Sequence, residues 1–187
     1  TIYYDNVVLR EVVRGVLASE DWNRRWVEDS APAVRVVPPL VKVFPTDRCL
    51  SSQGSVSLAA ARNEREAFQV IVAPSERDAR QVKLRATDLA GPDGARLDAS
   101  NIDLPVVGYV ETTTRPPYDT PHMGWWPDPI LDFLGPLDVA AGDLQSFWIR
   151  VHAPQGQAPG LYRGTLSVSA EGVGPVTFPL TVRVRSF

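Results

Sequence analysis

The chain has 187 residues, of which 44% are apolar and 22% charged, with a formal net charge of −3. A chain of that size closes a core without disulfides or metals, and its composition excludes disorder. It shows no basic stripe interleaved with aromatics, which excludes a nucleic-acid partner, and no apolar run of the roughly 18 residues that a membrane helix needs.

The chain opens on Thr1 with neither an initiator Met nor a signal-like segment, which reads as the interior of a longer protein. Ile2, Tyr4 and Val7 to Leu9 alternate as a strand. The run Tyr4-Asp5-Asn6-Val7-Val8-Leu9 resembles the last strand of jelly-roll carbohydrate-binding modules, so residues 1–10 are assigned to such a preceding module. Asp5 and Asn6 offer the hard oxygen ligands calcium takes, though two alone do not make a site. Residues 11–34 then read as a linker with a possible short helix. Ser19 caps it, Glu20 and Asp21 fill its first turn, and Trp22 and Trp26 share one face.

From residue 35 to 187 short apolar runs alternate with Pro and Gly, the pattern of an all-β domain. Strands are expected at Val41–Phe44 and Val56–Ala60, and through Phe68, Val70 and Val72. Others are expected through Val82, Leu84 and Ala86, and from Leu104 to Val110. Phe147, Ile149 and Val151 form one face of a later strand, with Trp148, Arg150 and His152 on the other. Residues 162–169 and 176–185 alternate about the turn Glu171-Gly172-Val173-Gly174, which predicts an antiparallel hairpin with one wet face. Pro179 belongs on an edge, or where its missing N–H has no partner to lose. About eight strands suffice for a two-sheet antiparallel β-sandwich of immunoglobulin-like type.

Residues 113–136 read as a long Pro- and Trp-rich loop, and long loops in compact domains carry function or interfaces. Its candidate site residues are Tyr118, His122, Trp125, Trp126 and Asp128. Indole rings offer stiff apolar faces that stack on sugars or fill a partner's pocket. Asp128, followed by Pro129, is held extended, where its carboxylate can accept from sugar hydroxyls or pair with an Arg of a neighbouring domain. The competing reading has both indoles capping the sandwich core.

Other chemistry is thin. Cys49 is the only cysteine, so no internal disulfide forms, and it reads as a packed structural thiol. His122 and His152 lie thirty residues apart with no ligand cluster, so no metal or other cofactor is implied. Glu64 and Glu66 could approach as a carboxyl pair, but Arg62 and Arg65 beside them favour ordinary charges at a strand entry.

Three stretches carry a resemblance: Ala61-Arg62-Asn63-Glu64-Arg65-Glu66-Ala67-Phe68-Gln69-Val70, Trp126-Pro127-Asp128-Pro129-Ile130, and Phe147 to Val151 followed by Ala158-Pro159-Gly160-Leu161-Tyr162-Arg163-Gly164-Thr165-Leu166. In this order they resemble the β-sandwich domain that precedes the catalytic barrel in family 123 glycoside hydrolases. The resemblance implies a secreted or periplasmic carbohydrate-active protein, with catalysis on a C-terminal (β/α)₈ barrel and no catalytic residue in this segment. It also implies that the Asn63-Glu64 piece ties a turn. An accessory domain bracing that barrel is thus the first expectation. An independent module binding oligosaccharide or polysaccharide, and a plain adhesive spacer, are the rivals.

Overall fold

The computed structural model describes residues 2–4, 7–9, 33–45, 47, 55–120 and 122–187. The expected helix of the linker, Asp5, Asn6 and Cys49 lie outside the described residues.

The single strand expected at the N-terminus is two, β1 (Ile2–Tyr4) and β2 (Val7–Leu9), paired antiparallel as a small sheet of their own. The remaining strands, in chain order, begin with β3 (Ala33–Val37), β4 (Val56–Ala60), β5 (Arg65–Ala73) and β6 (Ala79–Ala86). Short pieces follow: β7 (Leu89–Ala90), β8 (Arg96–Leu97) and β9 (Ile102–Asp103). Then come β10 (Val106–Thr112), β11 (Gly124–Leu131), β12 (Leu137–Val139), β13 (Gln145–His152), β14 (Gly160–Ala170) and β15 (Val173–Val184).

They form two sheets. The first runs β11-β10-β13-β5-β3, with β9 also on β13. The second runs β12-β6-β14-β15-β4, with β7 and β8 attached beside β14. Pairing is antiparallel except for β15 with β4, which is parallel. Pro179 lies opposite Thr165 of β14, one residue before β4 begins to pair at Leu180, so its other side meets no strand among the described residues.

Alternation puts Phe68, Val70 and Val72 of β5 and Phe147, Ile149 and Val151 of β13 on the inner face. They meet Tyr162, Leu166 and Val168 of β14 and Leu180, Val182 and Val184 of β15, all buried. Tyr162 is fully buried, and its hydroxyl donates to the Ala158 carbonyl at 2.6 Å. This tyrosine-corner arrangement satisfies the one polar atom that the ring takes inside. Gly164 has to lack a side chain, because a Cβ there would lie 2.5 Å from Leu89 Cδ2 and 2.9 Å from the Asp88 carbonyl. The Pro-Gly-x-Tyr-x-Gly run thus has a packing cause.

The Ala61–Glu64 turn staples one pole of the sandwich. Asn63 takes a left-handed backbone (φ 64°), which Asn tolerates better than most residues. The Ala61 N–H donates to Glu64 Oε2 at 2.6 Å, so this carboxylate ties a turn, as the resemblance implied. Asn63 N–H donates to the Ala153 carbonyl, and Ala153 N–H donates back to the Glu64 carbonyl. Arg62 donates its backbone N–H to the Phe187 carbonyl and its guanidinium to the Ser186 carbonyl. One turn therefore holds the ends of β4, β5, β13 and β15 together.

The first sheet departs from expectation on its outer face. Val41–Phe44, expected as a strand, forms no ladder and is part of a strap over residues 38–47. Val43 of the strap closes a second small core with Val37, Ile71, Ala73 and Leu144. Gln69 fixes the strap from below. Its Nε2 donates to the carbonyls of Val41 at 2.7 Å and Pro38 at 3.2 Å, while its Oε1 accepts from Ser146 Oγ at 2.9 Å. Within the expected strand, the Val41 carbonyl is thus bound by a side chain instead of a neighbouring backbone.

Candidate functional site

The expected loop over 113–136 is shorter than its composition suggests. Residues 124–131 are strand β11, paired antiparallel with β10 from Thr112↔Gly124 to Val106↔Leu131. Pro127 and Pro129 are tolerated because β11 is the sheet's outermost strand, and the register slips by one residue between Val107 and Tyr109. Gly108 makes that slip possible: a Cβ on it would lie 2.8 Å from both Pro129 Cγ and Leu131 Cδ1.

Strand geometry separates the two tryptophans. Trp125 stands opposite Glu111 and Trp126 opposite Val110, so consecutive indoles face opposite sides. Among the described residues, Trp126 alone of the pair joins an aromatic cluster. Its ring centroid lies 5.4 Å from those of Phe44 and His122, both near edge-to-face, and Phe44 and His122 are 4.3 Å apart. Such geometry suits the ring quadrupoles. Lys42 Nζ lies 5.8 Å from the Trp126 ring centroid, within cation–π range. The strap thus ends on β11 and holds Trp126 in place.

A surface cleft of about 450 Å³ opens beside this cluster. Tyr118, His122 and Trp126, three of the five predicted residues, line it. Trp125 and Asp128 do not; Asp128 is exposed on β11. Thr112, Thr114, Asp119 and Thr120 supply its polar lining, and Met123 an apolar edge. The Thr112 hydroxyl donates to the Gly124 carbonyl at 2.9 Å, closing the hairpin where the cleft starts. His122 Nε2 is buried and has no hydrogen-bond partner among the described residues.

Sequence reasoning missed Phe44, Lys42 and the threonines. Phe44 and Lys42 lie some eighty residues upstream, and no local pattern brings them to β11. Alternate threonines at 112 and 114 continue the β10 period and were readable as one face.

Two other features bear on chemistry. Tyr109 Oη is buried without a partner among the described residues, and burial, with Asp47 adding to it, raises its pKa far above the ordinary phenol range. Asp98 is held below the usual carboxylate range, first by the Ser100 backbone N–H. Among the described residues no group of His, Cys, Asp and Glu could hold a metal, and no helix is long and apolar enough to cross a membrane.

Among solved structures, the sandwich superposes with a TM-score of 0.76 on a family 123 glycoside hydrolase from Clostridium perfringens, described for glycolipid glycan hydrolysis. Identity is 17%, over 84% of this chain and 28% of that one, so this chain spans little more than a quarter of that enzyme's length. Self-complemented MyfA from Yersinia enterocolitica follows at a TM-score of 0.38 and 14% identity, over 82% of this chain and 99% of that one. A PapD-like domain of human CEP192 has the same TM-score at 11% identity, over 86% and 90% of the two chains. Likeness at that level carries no argument. No curated protein matches. The model of the glycoside hydrolase 123 N-terminal domain matches residues 45–170, through the stapling turn, β11, β13 and the tyrosine corner, and the chain belongs to that family.

Proposed function

We propose that this domain is the non-catalytic accessory part of a glycoside hydrolase, bracing a C-terminal (β/α)₈ catalytic barrel of the same protein and flanking its substrate groove. One observation carries the reading. Of the eight large apolar side chains exposed among the described residues, three, Ile130, Phe133 and Leu134, fall within five residues at the end of the edge strand β11. Exposed apolar groups concentrated on one border of a sandwich mark a docking surface. Family membership supplies the occupant, because the matched enzyme is more than three times longer than the part this chain covers. The reading carries with it a secreted or periplasmic location, supported by the family alone.

The test uses the isolated 187-residue chain and the two-domain protein. The isolated chain hydrolyses no glycan above the buffer rate, and the joined protein does. In the joined protein, Phe133→Asp with Leu134→Asp loosens the domains, read as a lower melting temperature of the barrel and a larger radius of gyration. The isolated chain melts unchanged, because both side chains are exposed there (67% and 45%). Hydrolysis by the isolated chain, or a joined protein indifferent to both aspartates, overturns the proposal.

A further inference from the structure

We infer that the cleft between the 112–123 segment and Trp126 binds a neutral glycan directly. This rests on the accessory reading above and deepens it, giving the cleft to the glycan and leaving Ile130, Phe133 and Leu134 to the barrel.

Four properties converge. Size is the first, since pockets for small molecules run roughly 300–1,000 Å³ and this one is about 450 Å³. Shape follows: Trp126 is held by Phe44 and His122 and needs no ordering on binding, which lowers the entropic cost of stacking a ring on it. Tyr118, 69% exposed, stands at the rim as a second aromatic surface. Third, the polar lining is made of the His122 ring and of hydroxyls from Thr112, Thr114 and Thr120, those of Thr112 and Thr120 giving their protons to the Gly124 and His122 carbonyls and keeping a lone pair to accept.

Charge decides the class. The lining holds one carboxylate, Asp119, and neither Lys nor Arg. Arg115 stands between the lining residues Thr114 and Pro116 but is not itself part of the lining, and Lys42 is held over the Trp126 ring. A uronate or sulfated sugar would meet Asp119 with no opposing cation in the lining, whereas a neutral pyranose offers hydroxyl donors to it. Apolar ring faces with polar edges are what this aromatic and threonine lining fits.

The experiment titrates the full 187-residue chain with cellotriose, lactose and N-acetyllactosamine, and separately with trigalacturonate and a heparin disaccharide. Binding is read by saturation-transfer NMR and tryptophan fluorescence. At least one neutral sugar binds, and both acidic probes bind at least ~10-fold more weakly. Tyr118→Ala, at an exposed position where folding is not at stake, weakens neutral binding by about 3- to 10-fold, the size of an aromatic contact. Trp126→Ala weakens it further. Asp119→Asn narrows the gap between neutral and acidic probes. No binding of any neutral probe overturns the inference, as does binding indifferent to both aromatic changes or a preference for the acidic probes. Phe133→Asp leaves sugar binding unchanged, so a failed subsite and a failed docking face give different results.

Discussion

The two sheets solve the same burial problem differently. In the β14–β15 sheet, apolar residues alternate with Arg163, Ser167, Thr181 and Arg183, and the outer face is wet. In the β5–β13 sheet the outer face is covered as well: Phe68 to Ala73 are buried without a break, Gln69 among them. A strand buried on both sides must have its outward polar groups satisfied internally, and Gln69 and Ser146 do this by holding the strap. The sheet with a covered outer face is also the one that carries the candidate site, because the strap delivers Phe44 and Lys42 to Trp126.

The contrast can be broken at three levels. The largest effect falls where the sheets are alike: Leu180→Ala in the shared core destabilises by about 3 kcal/mol in urea unfolding, as a cavity opens at a fully buried site. Next, Gln69→Ala costs roughly 2 kcal/mol, because it strands the Ser146 hydroxyl and strap carbonyls. The matching change on the wet sheet, Ser167→Ala, stays within about 0.5 kcal/mol. Equal costs for these two would remove the distinction drawn here. Opposite in sign is Tyr109→Phe, which stabilises by about 1 kcal/mol by removing a buried hydroxyl with no partner among the described residues. Its pH dependence has a definite sign. The unfolded phenol ionises near pH 10, while in the folded chain burial holds the proton on to higher pH. The unfolded state therefore sheds its proton first, and stability present below about pH 10 falls as pH rises past it. Tyr109→Phe flattens that fall, measured by urea unfolding at pH 8 and pH 11.

Legibility in the sequence followed the same division. The β14–β15 hairpin and the inner face of β13 were readable because one wet face makes alternation visible. Glu64 was readable as a turn tie from the motif around it. The strand through Phe68, Val70 and Val72 was readable, but not that residues 38–47 would cover its outer face, since strap and strand meet only in the folded chain. Strand β11 was hidden by its prolines: Pro127 and Pro129 read as loop, and only its place at the sheet border makes them compatible with a ladder. That error also joined Trp125 to Trp126 as one platform, which the pleat forbids.

The stapling turn of Arg62 and Asn63 has a further consequence for reach. It fixes Phe187 beside the His152 end of β13, whereas the cleft lies beyond the Gln145 end. The eight residues of β13 alone put ~23 Å between these ends at about 3.3 Å per residue. In the proposed arrangement, a catalytic partner joined past Phe187 leaves from the far pole, so the docking face of Ile130, Phe133 and Leu134 has to be reached back along the length of the sandwich.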